Sequence, residues 1–499
     1  EIADRDWSSD VCSSDLVTRS SEGLKPYDAW ISDPQLNQIH RDYTDWLTNA
    51  VLSYDRIFGD HAIGLTVGME GQSKEMDQLR AYRRYFLSTS LDEINDGSVK
   101  DQETEGYSWK ETRLNYFGRA SYNYLERYLF EFVWRYDGSY RFPKNKRYGF
   151  FPGAMVAWRI SEEPWWKEQV TWIDYLKLRT SVSQTGNDVL TDNDGNTDRS
   201  IQYLNSFGFQ TNGVIFDGSE ERQLYPVRTP NKNITWERGT TWDIGAEMKF
   251  LNNRLNIEGD LFYHKRTDML IPRNASLPET AGITLPLENL GEMENKGFDA
   301  LISWNDKIGK VEYELGLNMS YARNKILFWD ETPGIPEYQK STGKPVPTSG
   351  TLANLINRAG LYYKTDGVFN TQEELDNYPH WTGARLGDIK FVDYNNDGKI
   401  NADDRVRSDK NQTPRLVTGF NVGLNWNHFD LAMLFQAAFG AETYVQTWSG
   451  TVGNFLKEYY DQRWTPENPT SEHPRTYERE RQYSPTRSEE RRVGKECRS

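Results

Sequence analysis

The feature that most constrains this chain is a period of two. In Tyr128–Tyr136 one face reads Tyr128, Phe130, Phe132, Trp134, Tyr136, and the other reads Leu129, Glu131, Val133, Arg135. In Thr240–Phe250 the residues Thr240, Trp242, Ile244, Ala246, Met248 and Phe250 oppose Thr241, Asp243, Gly245, Glu247 and Lys249. Val311–Tyr321 repeats the pattern, with Val311, Tyr313, Leu315, Leu317, Met319 and Tyr321 against Glu312, Glu314, Gly316, Asn318 and Ser320. Successive side chains leave a strand on opposite sides, so such alternation predicts half-buried β-strands. The apolar face often begins and ends in aromatics, with aliphatics between. A face that crosses a bilayer has this order, because rings collect at the two interfaces.

The strands predicted this way run for about 10–13 residues, where a soluble sheet uses about 5–6. That length suits a tilted membrane strand. We place them at 43–57, 61–73, 112–124, 127–137, 149–160, 174–185, 238–250, 254–268, 291–304, 310–323, 414–427 and 428–441. Short connections fall at Phe58–Asp60, Leu125–Arg127, Leu251–Asn253 and Asp306–Gly309, and SEEPWWKEQVTWID is of middle length on the same side. Long ones fall at 74–111, 186–237, 269–290 and 324–413. Short turns at one end and long loops at the other is the outer-membrane pattern. The fold class expected is all-β: an antiparallel transmembrane β-barrel. Within the longest loop, 324–413, a strand-like piece at Asn357–Phe369 is expected above the barrel.

Composition agrees. Mean hydropathy is -0.81 and no apolar tract is long enough for a transmembrane helix. Yet aromatics reach 14 %, with 29 Tyr, 22 Phe and 17 Trp, which suits a polar lumen combined with aromatic girdles. The net charge of -15 argues against nucleic acid as a partner. The head DWSSDVCSSDL (Asp6–Leu16) and tail RSEERRVGKEC (Arg487–Cys497) resemble translated adapter sequence from short-read DNA libraries. Residues 1–16 and 487–499 are therefore expected to be non-native, with 17–486 one partial barrel domain and the chain a fragment. Both cysteines, Cys12 and Cys497, fall in those ends, so thiol chemistry is not expected in the rest.

One stretch carries metal-ligand spacing. In DYNNDGKINADD, Asp393, Asn395 and Asp397 fall at positions 1, 3 and 5 of a calcium-type loop. Gly398 stands at the sharp turn, Lys399 offers its backbone carbonyl, and Asp404 closes position 12. Neither GDIKF before it nor RVRSDKNQTPR after it has a helical period, so this is no EF-hand. Bound Ca²⁺ and a metal-free turn held by Asx hydrogen bonds both fit the spacing. TDNDGNTD (Thr191–Asp198) has compressed spacing and reads as a polar loop tip.

The run NYFGRASYNYLERYLFEFVWRYDGSYRFPKNKRYGFFPGAMVAWRISEEPWW, followed by LKLRTSVSQTGND, resembles the SusC/RagA-type TonB-dependent outer-membrane transporters of Bacteroidota. So do LGEMENKGFD, GLYYKTDGVFNTQEELDN, GDIKFVDYNNDGKINADDR and GFNVGLNWNHFDLAMLFQAAFG, in the family's order over about 43–465. The resemblance implies a plugged barrel of about 22 strands, of which this chain would supply about 12 without the plug domain. It implies import of oligosaccharides or peptides across the cell outer membrane, a SusD-type surface lipoprotein as partner, and TonB as energy source.

Other residues have plainer readings. Trp165, Trp166 and Trp172 read as membrane-interface anchors. Trp329, Tyr338, Trp381 and Trp448 lie in loops, where they would either stack on sugar rings or pack the loops. Glu131, Arg135, Asp243 and Glu247 face the lumen, where they would satisfy one another or the plug. Six scattered histidines, without HExxH, GxSxG or a phosphate loop, give no enzyme signature. Two other classes compete with the transporter: a soluble extracellular all-β carbohydrate-binding protein with a calcium-stapled loop, and an adhesin barrel.

Overall fold

The computed structural model describes residues 17–20, 23–26, 34–86, 93–100, 102–190, 201–216, 219–273, 285–346, 360–442, 457–469 and 473–475. In chain order its first strands are Val17–Ser20 (β1), Gly23–Pro26 (β2), Gln35–Phe58 (β3), His61–Arg84 (β4), Glu103–Tyr124 (β5), Tyr128–Ser139 (β6) and Tyr148–Arg159 (β7). Next come Ile173–Asn187 (β8), Ser206–Phe216 (β9), Ser219–Arg228 (β10), Glu237–Phe250 (β11), Leu255–Ile271 (β12), Glu288–Ile308 (β13) and Val311–Phe328 (β14). The last are Leu361–Tyr363 (β15), Thr365–Val368 (β16), Ile389–Phe391 (β17), Arg405–Arg407 (β18), Leu416–Trp426 (β19) and Phe429–Phe439 (β20).

Twelve of these form one sheet in the order β20-β19-β14-β13-β12-β11-β8-β7-β6-β5-β4-β3. Apart from strands inserted in loops, each neighbour in space is the neighbour in sequence. From β7 to β20 the pairs are antiparallel. All twelve strands read from the alternation are present. Their loop-side ends run further than expected: β3 and β4 have 24 residues each and β5 has 22, so much of 74–111 is strand. The ends Gln72–Arg84 and Glu103–Lys110 carry charge on both faces, which hides them from a periodicity reading. The turn expected at Asp306–Gly309 lies at Gly309–Lys310, because β13 continues to Ile308.

Directly opposed residues share a face of an antiparallel pair. One face of the sheet therefore collects Val182, Trp242 and Tyr263, then Thr180, Ile244, Leu261 and Phe298, then Met248, Ile257, Ile302 and Leu317. It continues through Val422 and Met433. These side chains are open to the surroundings: Ile244 is 59 % exposed and Leu261 61 %. From Trp242 to Phe250 the strand climbs about 26 Å at about 3.3 Å per residue, or roughly 20 Å across a membrane at a tilt near 40°.

The buried apolar clusters lie away from this face. Phe142, Phe151, Leu190, Ile234, Trp236 and Leu270 form one, and Met269, Ile271, Ile326 and Trp329 a second. A third, Tyr363, Ile389, Phe391 and Ile400, lies wholly within the 329–415 connection. All three gather at the long-loop ends of strands or in the loops themselves. A wall whose apolar side meets lipid keeps its water-driven cores where the chain returns to water.

The chain divides into two compact units. The first holds Gly68–Tyr116 with neighbouring strand ends through Val51 and at Asp137–Tyr140. Polar ladders dominate it: Arg80 reaches Asn37 at 2.9 Å, Glu105 at 3.0 Å and Glu103 at 3.2 Å, and Asn115 donates to Glu70 at 3.0 Å. The second holds Leu52–Val67, Phe117–Tyr136 and everything from Arg141 onward. In it β9 and β10 make a separate ribbon within the 186–237 loop, which the sequence reading had left without structure. The piece at Asn357–Phe369 resolves, from residue 360 onward, into the short strands β15 and β16. Residues 1–16, 487–499 and 191–198, and Trp448, lie outside the described residues.

The two faces should respond differently to charge. Leu261→Arg, at mid-band on the apolar face, is expected to cost about 2–4 kcal/mol of folding stability in bilayers. Ser303→Lys, on the opposite face, should cost under about 1 kcal/mol. Urea unfolding of the full-length protein in phospholipid vesicles checks this; equal costs would overturn the assignment of faces.

Candidate functional site

The second face of the sheet is polar and internally paired. Arg179 on β8 is the hub. Its Nε donates to Asp260 Oδ1 at 3.0 Å, one Nη donates to Glu258 at 2.9 Å, and the other donates to Glu247. Lys177 Nζ reaches the same Glu247 oxygen at 2.9 Å. Register explains the meeting: Gly245 of β11 pairs with Arg179 on one side and Asp260 on the other. A Cβ at Gly245 would stand 1.9 Å from Asp260 Oδ1 and 2.8 Å from Arg179 Nε. The missing side chain lets the guanidinium reach its carboxylate across an intervening strand.

Of the expected lumen-facing charges, Glu247 joins this cluster. Glu131 pairs with Arg119 at 2.6 Å, and Arg135 lies over the Phe117 ring at 5.8 Å. Asp243 stands two residues along β11 from Gly245, and its backbone carbonyl accepts from Thr180 at 3.0 Å. Asp299, Leu301, Asn318 and Ser320 continue the face beside Glu258 and Asp260, around a shallow open hollow.

At the short-turn end, aromatics line the rim of the apolar face. Tyr128 stacks between Tyr124 and Trp158, each at 6.4 Å, and Trp172 stacks on Phe250 at 5.9 Å. Trp165 stands exposed on the helix Pro164–Gln169, and Trp172 stands exposed just after it. The sequence reading passed over Glu163, which precedes that helix and is buried. Its Oε1 accepts from Tyr128 Oη at 2.6 Å and from Trp158 Nε1 at 3.0 Å, and Arg127 lies 3.6 Å away. The Tyr128 bond first, then the Trp158 bond, hold its carboxyl below the usual range against the opposing effect of burial. In so acidic a chain only the adjacency to Pro164-Trp165-Trp166 set it apart.

The DYNNDGKINADD loop closes on its own amides. Asp393 accepts from Asp397 N at 3.1 Å and Gly398 N at 2.8 Å. Asn395 accepts from Asp397 N at 3.0 Å, and Asp397 from Lys399 N at 2.9 Å. Asp404 is fully buried; its oxygens accept from Tyr394 N and Asn401 N, both at 2.8 Å, and from Asn395 N at 3.4 Å. Gly398 has φ +79°, the left-handed turn expected at position 6. Each of these side chains is thus engaged by backbone amides of the loop, with oxygen lone pairs still to spare. Among the described residues no three His, Cys, Asp or Glu side chains converge on one point.

Three of the four loop aromatics pack inward. Trp329 is buried with Ile271 and Ile326, Trp381 packs edge-on against Tyr363, and Tyr338 Oη donates to Asp403 O at 2.7 Å. They act as loop cores, not as open stacking platforms.

An antiparallel wall with one lipid-facing side, one polar side, short turns at one end and long loops at the other defines a class, the transmembrane β-barrel. No helix among the described residues is long and apolar enough to cross a membrane. The chain belongs to the TonB dependent receptor-like, β-barrel family, whose model matches residues 6–432, and it is an outer-membrane protein. It is similar to TonB-dependent receptor P3 of Formosa agariphila, 29% identical over 462 residues, covering 89% of this chain and 43% of that protein. It is similar also to TonB-dependent receptor SusC of Bacteroides thetaiotaomicron, 25% identical over 426 residues, covering 84% of this chain and 39% of that protein. The chain therefore spans less than half the length of these curated relatives. The RagAB peptide transporter has the same fold, with a TM-score of 0.66 at 20% identity over 90% of this chain and 48% of that one. Family membership sets aside the soluble carbohydrate-binding reading.

Two outcomes test the wall and its rim. Gly245→Ala must push Asp260 and Arg179 apart, and overpacking of this kind costs about 1–3 kcal/mol in urea unfolding; Gly423→Ala, whose Cβ would meet only Glu314 Cβ at 3.6 Å, removes a glycine without this clash. Glu163 has a lowered folded pKa, so its stabilising effect is complete above the unfolded value of about 4.3 and is lost as pH falls through the folded value. The stability gap between wild type and Glu163→Gln should be full at neutral pH, begin to narrow near about pH 4.3, and close as pH falls through the lowered folded value. A gap that persists unchanged at acid pH counts against the carboxylate's role.

Proposed function

We propose that this chain forms part of the barrel wall of a TonB-dependent importer that takes up oligosaccharides or peptides. In this reading a SusD-type surface lipoprotein presents cargo at the long-loop side, and TonB supplies energy from the periplasm. The observation that carries it is the polar face centred on Arg179. Charged groups endure inside a membrane only where they pair or meet a polar interior, so this wall bounds a filled or aqueous passage. The family and the likeness to a peptide transporter support import; oligosaccharide and peptide cargo remain two outcomes of one test. Disrupting the full-length gene in its native host should slow depletion of one of these two nutrient pools from the medium. The same receptor, solubilised from outer membranes, should bring a lipoprotein with it. Wild-type depletion of both pools by the disrupted strain would overturn the import reading.

We also propose that the extracellular loop takes Ca²⁺. Asp393, Asn395, Asp397 and Asp404 would supply side-chain oxygens and Lys399 its carbonyl, and the ion would supply rigidity alone. The left-handed Gly398 and the spacing of the acceptors support this. Calcium titration calorimetry on the full-length receptor should show a saturable site that Asp397→Ala removes. No saturable heat, or heat unchanged by the substitution, sinks the idea.

A further inference from the structure

Two successive long loops are sewn together in this protein. The first is the 329–415 connection between β14 and β19; the second begins after β20 and includes 457–469 and 473–475. The second is tied to the first as soon as it leaves the sheet, where Glu442 N donates to Asn411 O at 2.8 Å and Ser408 Oγ donates to the Glu442 carboxylate at 2.7 Å. Further along, Trp464 Nε1 donates to Asn370 Oδ1 at 2.9 Å. Arg475 Nε donates to Asp388 Oδ1 at 2.8 Å, and Arg475 N donates to Gly387 O at 2.9 Å.

The fit is specific at Gly387. Its φ of +82° is left-handed, and a Cβ there would stand 2.3 Å from the Trp464 ring. The indole therefore occupies the space that any side chain would need. Trp464, His473 and Asp388 are all buried in this seam. Asp388 also accepts from Arg385 N at 3.0 Å, so the carboxylate that holds Arg475 is itself fixed by the first loop. Gly387 N donates to Phe369 O at 2.7 Å and Phe369 N donates to Asp388 O at 2.9 Å, which links the seam to the strip carrying β16 and β17.

We propose that residues 464–469 and 473–475 form a strap that latches the part of the 329–415 loop around Phe369 and Gly387, so that the parts they join open and close together, with the Asp388–Arg475 pair as the latch. Resting on the import reading, this makes the strap a regulator of access from the extracellular side. An ion pair whose carboxylate is buried suits a latch, because removing the arginine strands that charge and is costly.

Hydrogen exchange on the intact full-length receptor tests it and does not depend on whether transport occurs. In wild type the amides of Phe369, Gly387, Trp464 and Arg475 should share one opening equilibrium, with protection factors within about threefold of one another. Asp388→Asn or Arg475→Ala should release the strap and raise exchange at Trp464 and Arg475 by about one to two orders of magnitude. The exchanged pair Asp388→Arg with Arg475→Asp should regain part of the protection. Should the Trp464 and Arg475 amides exchange freely in wild type while Phe369 and Gly387 stay protected, or should neither single variant raise exchange at Trp464 and Arg475, the proposal fails. If latched loops are found in a receptor that imports nothing, the strap stands and the import reading falls.

Discussion

Everything in this protein follows from the need to satisfy backbone hydrogen bonds where no water is at hand. In hydrocarbon an unpaired N–H or C=O costs several kcal/mol, roughly the margin on which a whole domain is stable. Sequential antiparallel pairing is the arrangement found from β7 to β20, where ladders run unbroken for much of each strand. Once the ladder is fixed, the period of two assigns every side chain. Ile244 and Leu261 go to lipid, Glu247 and Asp260 go to the other side. The usual soluble arrangement is thereby inverted, and Phe142, Trp236, Ile326 and Phe391 build their cores at the loop ends.

The polar face shows how small residues make room for charge. Gly245 lets Arg179 reach Asp260 across a strand. Gly316 and Gly419 do the same for amides: a Cβ on Gly316 would stand 2.2 Å from Asn421 Oδ1, and one on Gly419 would stand 2.5 Å from Asn318 Oδ1. A long polar side chain on one strand lies over a glycine on the next. At Gly245 the crossing brings donor and acceptor together without bending the ladder.

How much could be read from sequence depended on whether one face was apolar. Strands such as Glu237–Phe250 were legible because Trp242, Ile244 and Met248 alternate with Asp243, Glu247 and Lys249. The outer halves of β4 and β5 were not, since Gln78, Arg80, Glu103 and Glu105 sit on strands with no apolar side. The β9–β10 ribbon was hidden by Gly208, Gly213 and Pro226, residues that ordinarily argue against a strand. The aspartates and Asn395 of the 393–404 loop were legible by spacing; their closure onto the loop's own amides was not. Gly245 was invisible for a different reason: its role arises from cross-strand register, which no local window contains, and Glu163 takes its shortest bond from Tyr128, far away in sequence.

The loops also give the acidic composition a physical meaning. Glu331 accepts from Ser341 N at 2.7 Å and Thr342 N at 2.8 Å, and Glu374 accepts from Asn370 N at 2.8 Å. Asp388, Asp393, Asp397 and Asp404 do likewise. Long connections have few ladders, so their amides need acceptors, and a carboxylate offers two oxygens that each take more than one bond. Bonds to charged acceptors are also the stronger ones. The acid count of the loops therefore reflects the cost of ordering chain outside the sheet. The proposed cation in the 393–404 loop would share oxygens that amides already engage, and this would couple ion binding to loop order there.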